Sequence, residues 1–325
     1  MSCWDRKKVL VTGGGGFIGS HVVERLLQNF RNVKVTVAAR MTPENKRNLS
    51  AVIKDIRILK ADLRDPAACR RVCKGQDMVL NLAASVGGVG YNSKHHGSLF
   101  RDNMTLQLNV IEAARLESVS RYLVVSTACV YPRLCKIPTP EAEGFREAPE
   151  LTNRGYGWSK RMGEYLGQAY AEEFGMKVAI VRPYNAYGPR DHYDPDKSHV
   201  IAALVRRVCR GENPLKVWGD GKSTRAFLYV DDFARGLLEV AEKYPKADPV
   251  NIGSSDEVSI KSLAQAVLRA AGHDAKLVFD PSKPSGQPRR ACDTAKSRKV
   301  LGFAAKISLD EGLRRTVAWY RENLL

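Results

Sequence analysis

The chain predicts an α/β fold: a doubly wound parallel sheet covered by helices on both faces, with a smaller C-terminal lobe interleaved along the sequence. Three observations carry this. Short apolar runs alternate with amphipathic helical stretches as far as Pro183, and a glycine-rich turn, TGGGGFIGSH, joins the first run to the first helix. Beyond Pro183 the alternation gives way to turn-rich segments.

Taken in order, KKVLVTG is a strand ending in glycine, and FIGSHVVERLLQNF has helical spacing. VKVTVAAR is a second strand, a polar helix spans about 43–50, and IRILKADL is a third strand. Asp65 caps the next helix with Pro66 in its first turn. MVLNLAA and RYLVVSTACVY continue the series around a long helix at 99–116, another helix carries GYGWSKRMGEY, and MKVAIVRP closes the set. The turn-rich segments YGPRDHYDPDKSH, WGDGKSTR and DPSKPSGQPRR then suit a smaller ligand-cupping lobe. FLYVDDFARGLLEVAEK and PVNIG read as a strand-helix unit and a strand that return to the main sheet. The dinucleotide-type domain is therefore expected over 1–182 and 226–250, and the smaller domain over 183–225 and 251–325.

With 325 residues, 44% of them hydrophobic, the chain can bury a large core. No stretch approaches the roughly twenty apolar residues of a membrane span. The opening MSCWDRKK offers no signal-peptide core, and seven cysteines without close zinc-like pairs suit a reducing compartment, so the cytosol is expected. His95 and His96 are adjacent and point apart, so no metal site is expected. The net charge of +17 raises nucleic acid as a partner, but Lys and Arg are dispersed and form no long basic run. Two pyrophosphate-bearing ligands account for part of the excess, and no nucleic-acid partner is expected.

Gly13, Gly16 and Gly19 fall directly between a strand and a helix, the Rossmann-type position. There the backbone turns sharply and approaches a pyrophosphate at the helix N-terminus. Phe17 and Ile18 belong to the same turn, and Ala83 in NLAA ends the fourth strand. An acid at the end of the second strand would bind a ribose 2′-hydroxyl, whereas an arginine accommodates a 2′-phosphate. The chain reads Ala38-Ala39-Arg40, favouring NADPH over NAD. Asp62 and Leu63, after the third strand, suit an adenine contact, or Asp62 caps a turn.

Tyr156 and Lys160 stand four apart and share a helix face. An ammonium beneath the phenol would lower the tyrosine pKa from about 10 towards neutrality, fitting it to protonate an oxygen as hydride reaches the carbon. Cys129 and His199 carry groups, a thiol of pKa about 8.5 and an imidazole of pKa about 6.5, that exchange protons near neutral pH. A buried strand-end cysteine and a helix-start histidine are the structural alternatives.

The glycine loop, ADLRD, NLAA, the Tyr-Lys pair and RPYNAYGP together resemble the extended short-chain dehydrogenase/reductase family along nearly the whole chain. That resemblance implies Thr127 as the hydroxyl completing the catalytic set and Asn109 as a supporting asparagine. Within the family, AASVGGV, STACVYP, DHYDPDKSHVIAALVRR and VFDPSKPSGQPR resemble the GDP-L-fucose synthase branch, which epimerises and reduces a GDP-linked 4-keto-6-deoxyhexose. The glycine loop is closer to that of NAD-retaining epimerases, and GDP-mannose 3,5-epimerase shares the Cys-Val-Tyr-Pro neighbourhood. The branch resemblance implies Cys129 as base, His199 as acid, and Val86, Asn185, Arg207, Trp218, Arg225 and Lys283 around a GDP-sugar. It also implies a homodimer through the helices near 99–116 and 156–173.

Overall fold

The computed structural model describes residues 2–87, 89–195, 198–283 and 287–325. Residues 88, 196–197 and 284–286, inside three of the segments quoted above, lie outside the described residues. β1 (Lys8–Thr12) leads into α1 (Phe17–Asn29), followed by β2 (Lys34–Ala39), α2 (Pro43–Asn48), β3 (Ile56–Lys60), α3 (Pro66–Cys73) and β4 (Met78–Asn81). A short α4 (Val89–Asn92) precedes the long α5 (His96–Leu116), then β5 (Arg121–Val125), α6 (Arg154–Phe174) and β6 (Val178–Pro183). Next come β7 (Ala186–Tyr187), α7 (Val200–Cys209), β8 (Leu215–Trp218), β9 (Thr224–Ala226), β10 (Leu228–Tyr229) and α8 (Val230–Lys243). β11 (Val250–Ile252), β12 (Glu257–Ser259), α9 (Ile260–Ala271), β13 (Leu277–Asp280), β14 (Arg289–Arg290), α10 (Ala295–Leu301) and α11 (Leu309–Leu324) complete the chain.

Seven strands form one sheet in the order β11-β6-β5-β4-β1-β2-β3, with every pairing parallel. Alternate strand residues face opposite sides. Val9, Val11, Val35 and Val37 pack with α1 and α8, while Leu10, Ala38, Val79 and Val124 pack with residues of α3 and α5. β4 and β6 are buried at every position, which explains why their apolar residues run consecutively rather than alternating. The strand order reverses between β1 and β4, so a crevice opens at their carboxyl ends.

α5 and α6 approach closely because glycines line the seam. A Cβ on Gly163 would lie 1.6 Å from Gln107 Oε1, and one on Gly155 would lie 2.3 Å from the His96 carbonyl oxygen. The smaller lobe has its own core, built from α7, α9 and α11 around Val205, Leu263, Val267 and Leu313. Its strands pair as β13-β8 and β12-β9-β14.

Two expectations change. β10 does not return to the main sheet; it pairs with β7, and only β11 joins β6. The open edge of β6 is taken by β11, and β10 has only two residues before α8 begins. The main core also runs past 250: β11 extends to Ile252, and Leu301 and Phe303 pack back against α8 and β11. No helix among the described residues is long and apolar enough to cross a membrane.

Candidate active site

The crevice begins at the glycine turn. Gly13 adopts φ +65°, and its N–H donates to the Ala38 carbonyl at 2.9 Å. A Cβ on Gly19 would sit 2.2 Å from the Gly13 oxygen, so α1 can start against the turn only with glycine there. Gly16 caps α1 without a side-chain bond, leaving first-turn N–H groups for an anion. Two side chains missed by sequence reasoning hold this turn: Asn45 and Asn48 of α2 both donate to the Gly15 carbonyl, at 2.9 and 3.1 Å. Their only sequence signal is the N-cap Thr42 with Asn45 three residues on.

Phe17 is buried and Ile18 packs beside it against the cores. Ala83 is fixed by its N–H to Thr12 Oγ1 at 3.1 Å, and Thr12 donates to Asn81 at 2.6 Å. Arg40 is exposed just past β2, with no acid beside it on that strand. Asp62 forms a turn, accepting from the Arg64 N–H at 3.0 Å and from its guanidinium at 2.6 Å. Those bonds hold its carboxyl at about 2, with Arg40's charge contributing. Leu63 is buried. Asn109 takes the role of buttress for this turn, donating to the Leu63 and Arg64 carbonyls at 3.3 and 2.9 Å. The neighbouring asparagine that supports the crevice wall is instead Asn103, bonded both ways to the Ser85 backbone at 2.9 and 2.8 Å.

Beyond β5, Thr127 Oγ1 accepts from the Cys129 N–H at 3.2 Å and opens a 3₁₀ turn, Ala128–Val130. The first turn of α6 lies directly on it, since a Cβ on Gly157 would come within 2.5 Å of the Cys129 carbonyl oxygen. Tyr156 and Cys129 are thereby neighbours, and the sulfur adds to the burial that pushes the phenol above its ordinary range. The expected Lys160 effect on that phenol is not what the structure shows. Its Nζ donates to the Val125 carbonyl at 2.8 Å and sits 5.7 Å from the Tyr156 ring centre. Burial lowers the ammonium to about 8, against the opposing pull of Glu164. Tyr156 thus stands protonated, ready to donate.

Behind the pair, Glu164 accepts from Ser126 and from Arg182 at 2.6 and 2.8 Å. This buried ion pair ties β5, α6 and β6 together. On the open side, β14 brings Arg290 into register with Arg225. Arg290 donates to the Ala128 carbonyl at 2.5 Å. Arg225 donates to its neighbour Thr224's carbonyl, and burial together with the charge of Arg290 lowers its guanidinium to about 10. Arg290 was not anticipated; strand alternation in QPRR, which sends adjacent arginines to opposite faces, is the signal that was there.

The remaining expected ligand groups are dispersed. Asn185 joins the lobes by donating to the Ala226 carbonyl at 2.7 Å. Arg207 is engaged by the Glu212 carboxylate and the Lys216 carbonyl. Val86, Trp218 and Lys283 are exposed. His199 is exposed at the N-cap of α7, and its electrostatic partner is buried Asp191. No hydrogen bond joins His199 to Cys129 among the described residues. No cluster able to hold a metal occurs among them either.

This arrangement can hold a dinucleotide on the glycine turn and an anion at the paired arginines, with a phenol and a thiol between them. Comparison with known proteins agrees with the fold. Residues 9–253 match the NAD dependent epimerase/dehydratase family. The chain belongs to that family. It is an enzyme of that kind, similar over its whole length to several sugar-nucleotide enzymes. It is 34% identical to a probable GDP-L-fucose synthase of Oryza sativa, covering 98% of this chain and 93% of the relative. It is 33% identical to a dTDP-4-dehydro-6-deoxy-D-allose reductase of Streptomyces, covering 98% and 97%. A GDP-mannose 3,5-epimerase of Oryza sativa is 30% identical, covering 98% and 83%. Among solved structures, a UDP-glucose 4-epimerase of Thermotoga maritima superposes with a TM-score of 0.88 at 29% identity, covering 98% and 100%. A GDP-L-fucose synthetase of Naegleria fowleri bound to NADP gives 0.83 at 27% identity, covering 99% and 95%.

Proposed function

We propose that the protein is a cytosolic, NADPH-dependent epimerase-reductase that converts a GDP-linked 4-keto-6-deoxyhexose to GDP-L-fucose or a close relative. The observation that carries this is the packing of the Cys129 turn onto Tyr156, with Arg225 and Arg290 alongside. An ordinary reductase needs the phenol but has no use for a thiol at that point.

The glycine turn, the uncapped start of α1 and the acid-free end of β2 at Arg40 fit NADPH. When bound, the dinucleotide supplies hydride to C4. Tyr156 donates its phenolic proton to the C4 oxygen, Thr127 polarises that oxygen, and the Lys160 ammonium stabilises the phenolate left behind. The 4-keto group acidifies C3 and C5, so Cys129 removes a proton from one face and His199 delivers one to the other. Arg225 grips the diphosphate, since planar guanidinium groups bind phosphate in bidentate fashion. Asn185, Val86, Trp218, Lys283 and Arg207 line the nucleotide-sugar path, Arg207 only after exchanging Glu212 for phosphate.

The test is incubation with GDP-4-keto-6-deoxymannose in heavy water. Deuterium at C3 and C5 is expected, and its absence rules out the epimerase half. Cys129→Ser is expected to abolish exchange and spare reduction, whereas Tyr156→Phe slows reduction by about 10²–10⁴-fold and spares exchange. The similarity to a 3,5-epimerase supports a second reading, a redox-neutral epimerase that retains NAD. Stoichiometric loss of NADPH absorbance excludes it.

A further inference from the structure

Arg161 follows Lys160 on α6 and has no task in the mechanism above, yet only 2% of its surface is exposed. A charge at that depth normally has an opposite charge beside it. Among the described residues no carboxylate bonds Arg161, and Glu164, three residues on, is committed to Ser126 and Arg182. Its donors go to backbone instead. Nη1 donates to the Glu147 carbonyl at 2.6 Å, and Nη2 donates to the carbonyl of Val130, the residue after Cys129. The rings of Trp158 and Phe145 flank the guanidinium at 4.9 and 5.3 Å, within cation–π range. Gly157 stands one turn earlier on the same face of α6. A Cβ there would meet the Cys129 carbonyl oxygen at 2.5 Å and the Pro149 Cβ at 2.8 Å. One helix face thus engages two segments, 129–130 and 147–149, by close approach at Gly157 and by hydrogen bonds at Arg161. Lys160 is held separately, through the Val125 carbonyl.

We infer that Arg161 is a positioning residue for Cys129: by bonding the Val130 and Glu147 carbonyls at once, it fixes the sulfur-bearing turn against the helix that carries Tyr156. A thiol working at C3 or C5 and a phenol working at the C4 oxygen must address one sugar ring. A misplacement of about 1 Å can cost about 10²-fold in rate. An apolar side chain would fill the same space without holding either carbonyl, which is what the buried guanidinium adds. The inference rests on reading Cys129 as the epimerising base, but the tether itself is measurable without turnover.

The experiment compares the whole enzyme with Arg161→Lys and Arg161→Met. Lysine keeps the charge but has one nitrogen and no fork to span both carbonyls; methionine keeps length and has no donor. The first readout is amide hydrogen exchange, by mass spectrometry, over 126–131, where the amides of Ser126, Cys129, Val130 and Tyr131 are all bonded. Both variants should exchange there about tenfold faster or more, as loss of a charged hydrogen bond implies, with 8–29 unchanged. The second readout sets deuterium uptake at C3 and C5 of GDP-4-keto-6-deoxymannose against NADPH oxidation. Uptake should fall about 10²-fold in Arg161→Met and less in Arg161→Lys, while oxidation is retained. Equal loss of uptake and oxidation marks a merely structural arginine and overturns the inference. Wild-type amide exchange over 126–131 in both variants overturns it too. If Arg161→Met does not fold, Arg161→Lys carries the same comparison. A wild type that takes up no deuterium sinks the epimerase reading, and amide exchange over 126–131 then decides the tether by itself. Uptake that is present in the wild type and undiminished in variants with a loosened turn sinks the inference alone.

Discussion

Lys160 shows what burial does to a charged group that a mechanism needs. Its ammonium is nearly inaccessible and keeps one bond, to the Val125 carbonyl. Burial lowers it to about 8 from an ordinary 10.5, with Glu164 resisting. Below about 8 the folded state holds the buried charge in full, which costs about 3 kcal/mol. Between 8 and 10.5 the folded protein sheds this proton while the unfolded chain keeps it. Stability from this group therefore rises with pH across that window. Lys160→Met removes the charge. Denaturant titrations are expected to show the variant more stable than the wild type near neutrality, with the difference shrinking as pH rises towards 10.5. A constant difference would mean that the ammonium is not the cause. The sequence spacing correctly put Tyr156 and Lys160 on one helix but had no means of giving the depth of burial, which sets their proton affinities. That depth comes from β5 and the Cys129 turn, distant in sequence.

α1 and its glycine turn depend on one backbone contact, at Gly19. Because the atoms a Cβ would meet there are the Gly13 oxygen at 2.2 Å and the Gly14 Cα at 2.7 Å, no side-chain rotation relieves them. The turn must open and the first N–H groups of α1 lose their aim. Gly19→Ala is expected to weaken NADPH binding at least about tenfold, or about 1.4 kcal/mol, by calorimetry. Gly97→Ala is the control, since its Cβ meets nothing within 4 Å. It should leave binding alone and raise stability by about 0.5–1 kcal/mol through helix propensity. Equal losses in both would point to general destabilisation. Elements of this kind are readable in sequence because strand-glycine-helix is a local pattern. Asn45 and Asn48, which fasten the same turn, are not, because their partner lies thirty residues away and asparagine on a short polar helix is unremarkable. β10 escapes sequence reading for a related reason: two residues carry no periodicity, and its partner β7 is also only two residues long.

The molecule as a whole has a core on each face of the main sheet and another in the smaller lobe, joined by crossings of one chain. Composition changes sharply at Pro183, which was visible; the return of 295–305 to the main core was not, because that stretch is short and buries only Leu301 and Phe303 fully, with Val300 and Ala305 packed beside them. The outer surface carries a further message. α5 exposes Phe100 and Leu108, and α6 exposes Trp158 and Tyr165, the latter 61% accessible. On α5 these lie eight apart, and on α6 seven apart, so each pair follows one helical face. The glycine seam holds the two helices side by side. An apolar surface spanning two packed helices suits an isologous contact with a second copy, in which each chain buries the other's aromatic residues. Light scattering of the wild type is expected to give the dimer mass. Leu108→Asp combined with Tyr165→Asp places like charges across the axis and should give the monomer, with cofactor binding retained because neither residue reaches the glycine turn. A wild-type monomer, or a double variant that stays dimeric, would mean that the contact lies elsewhere.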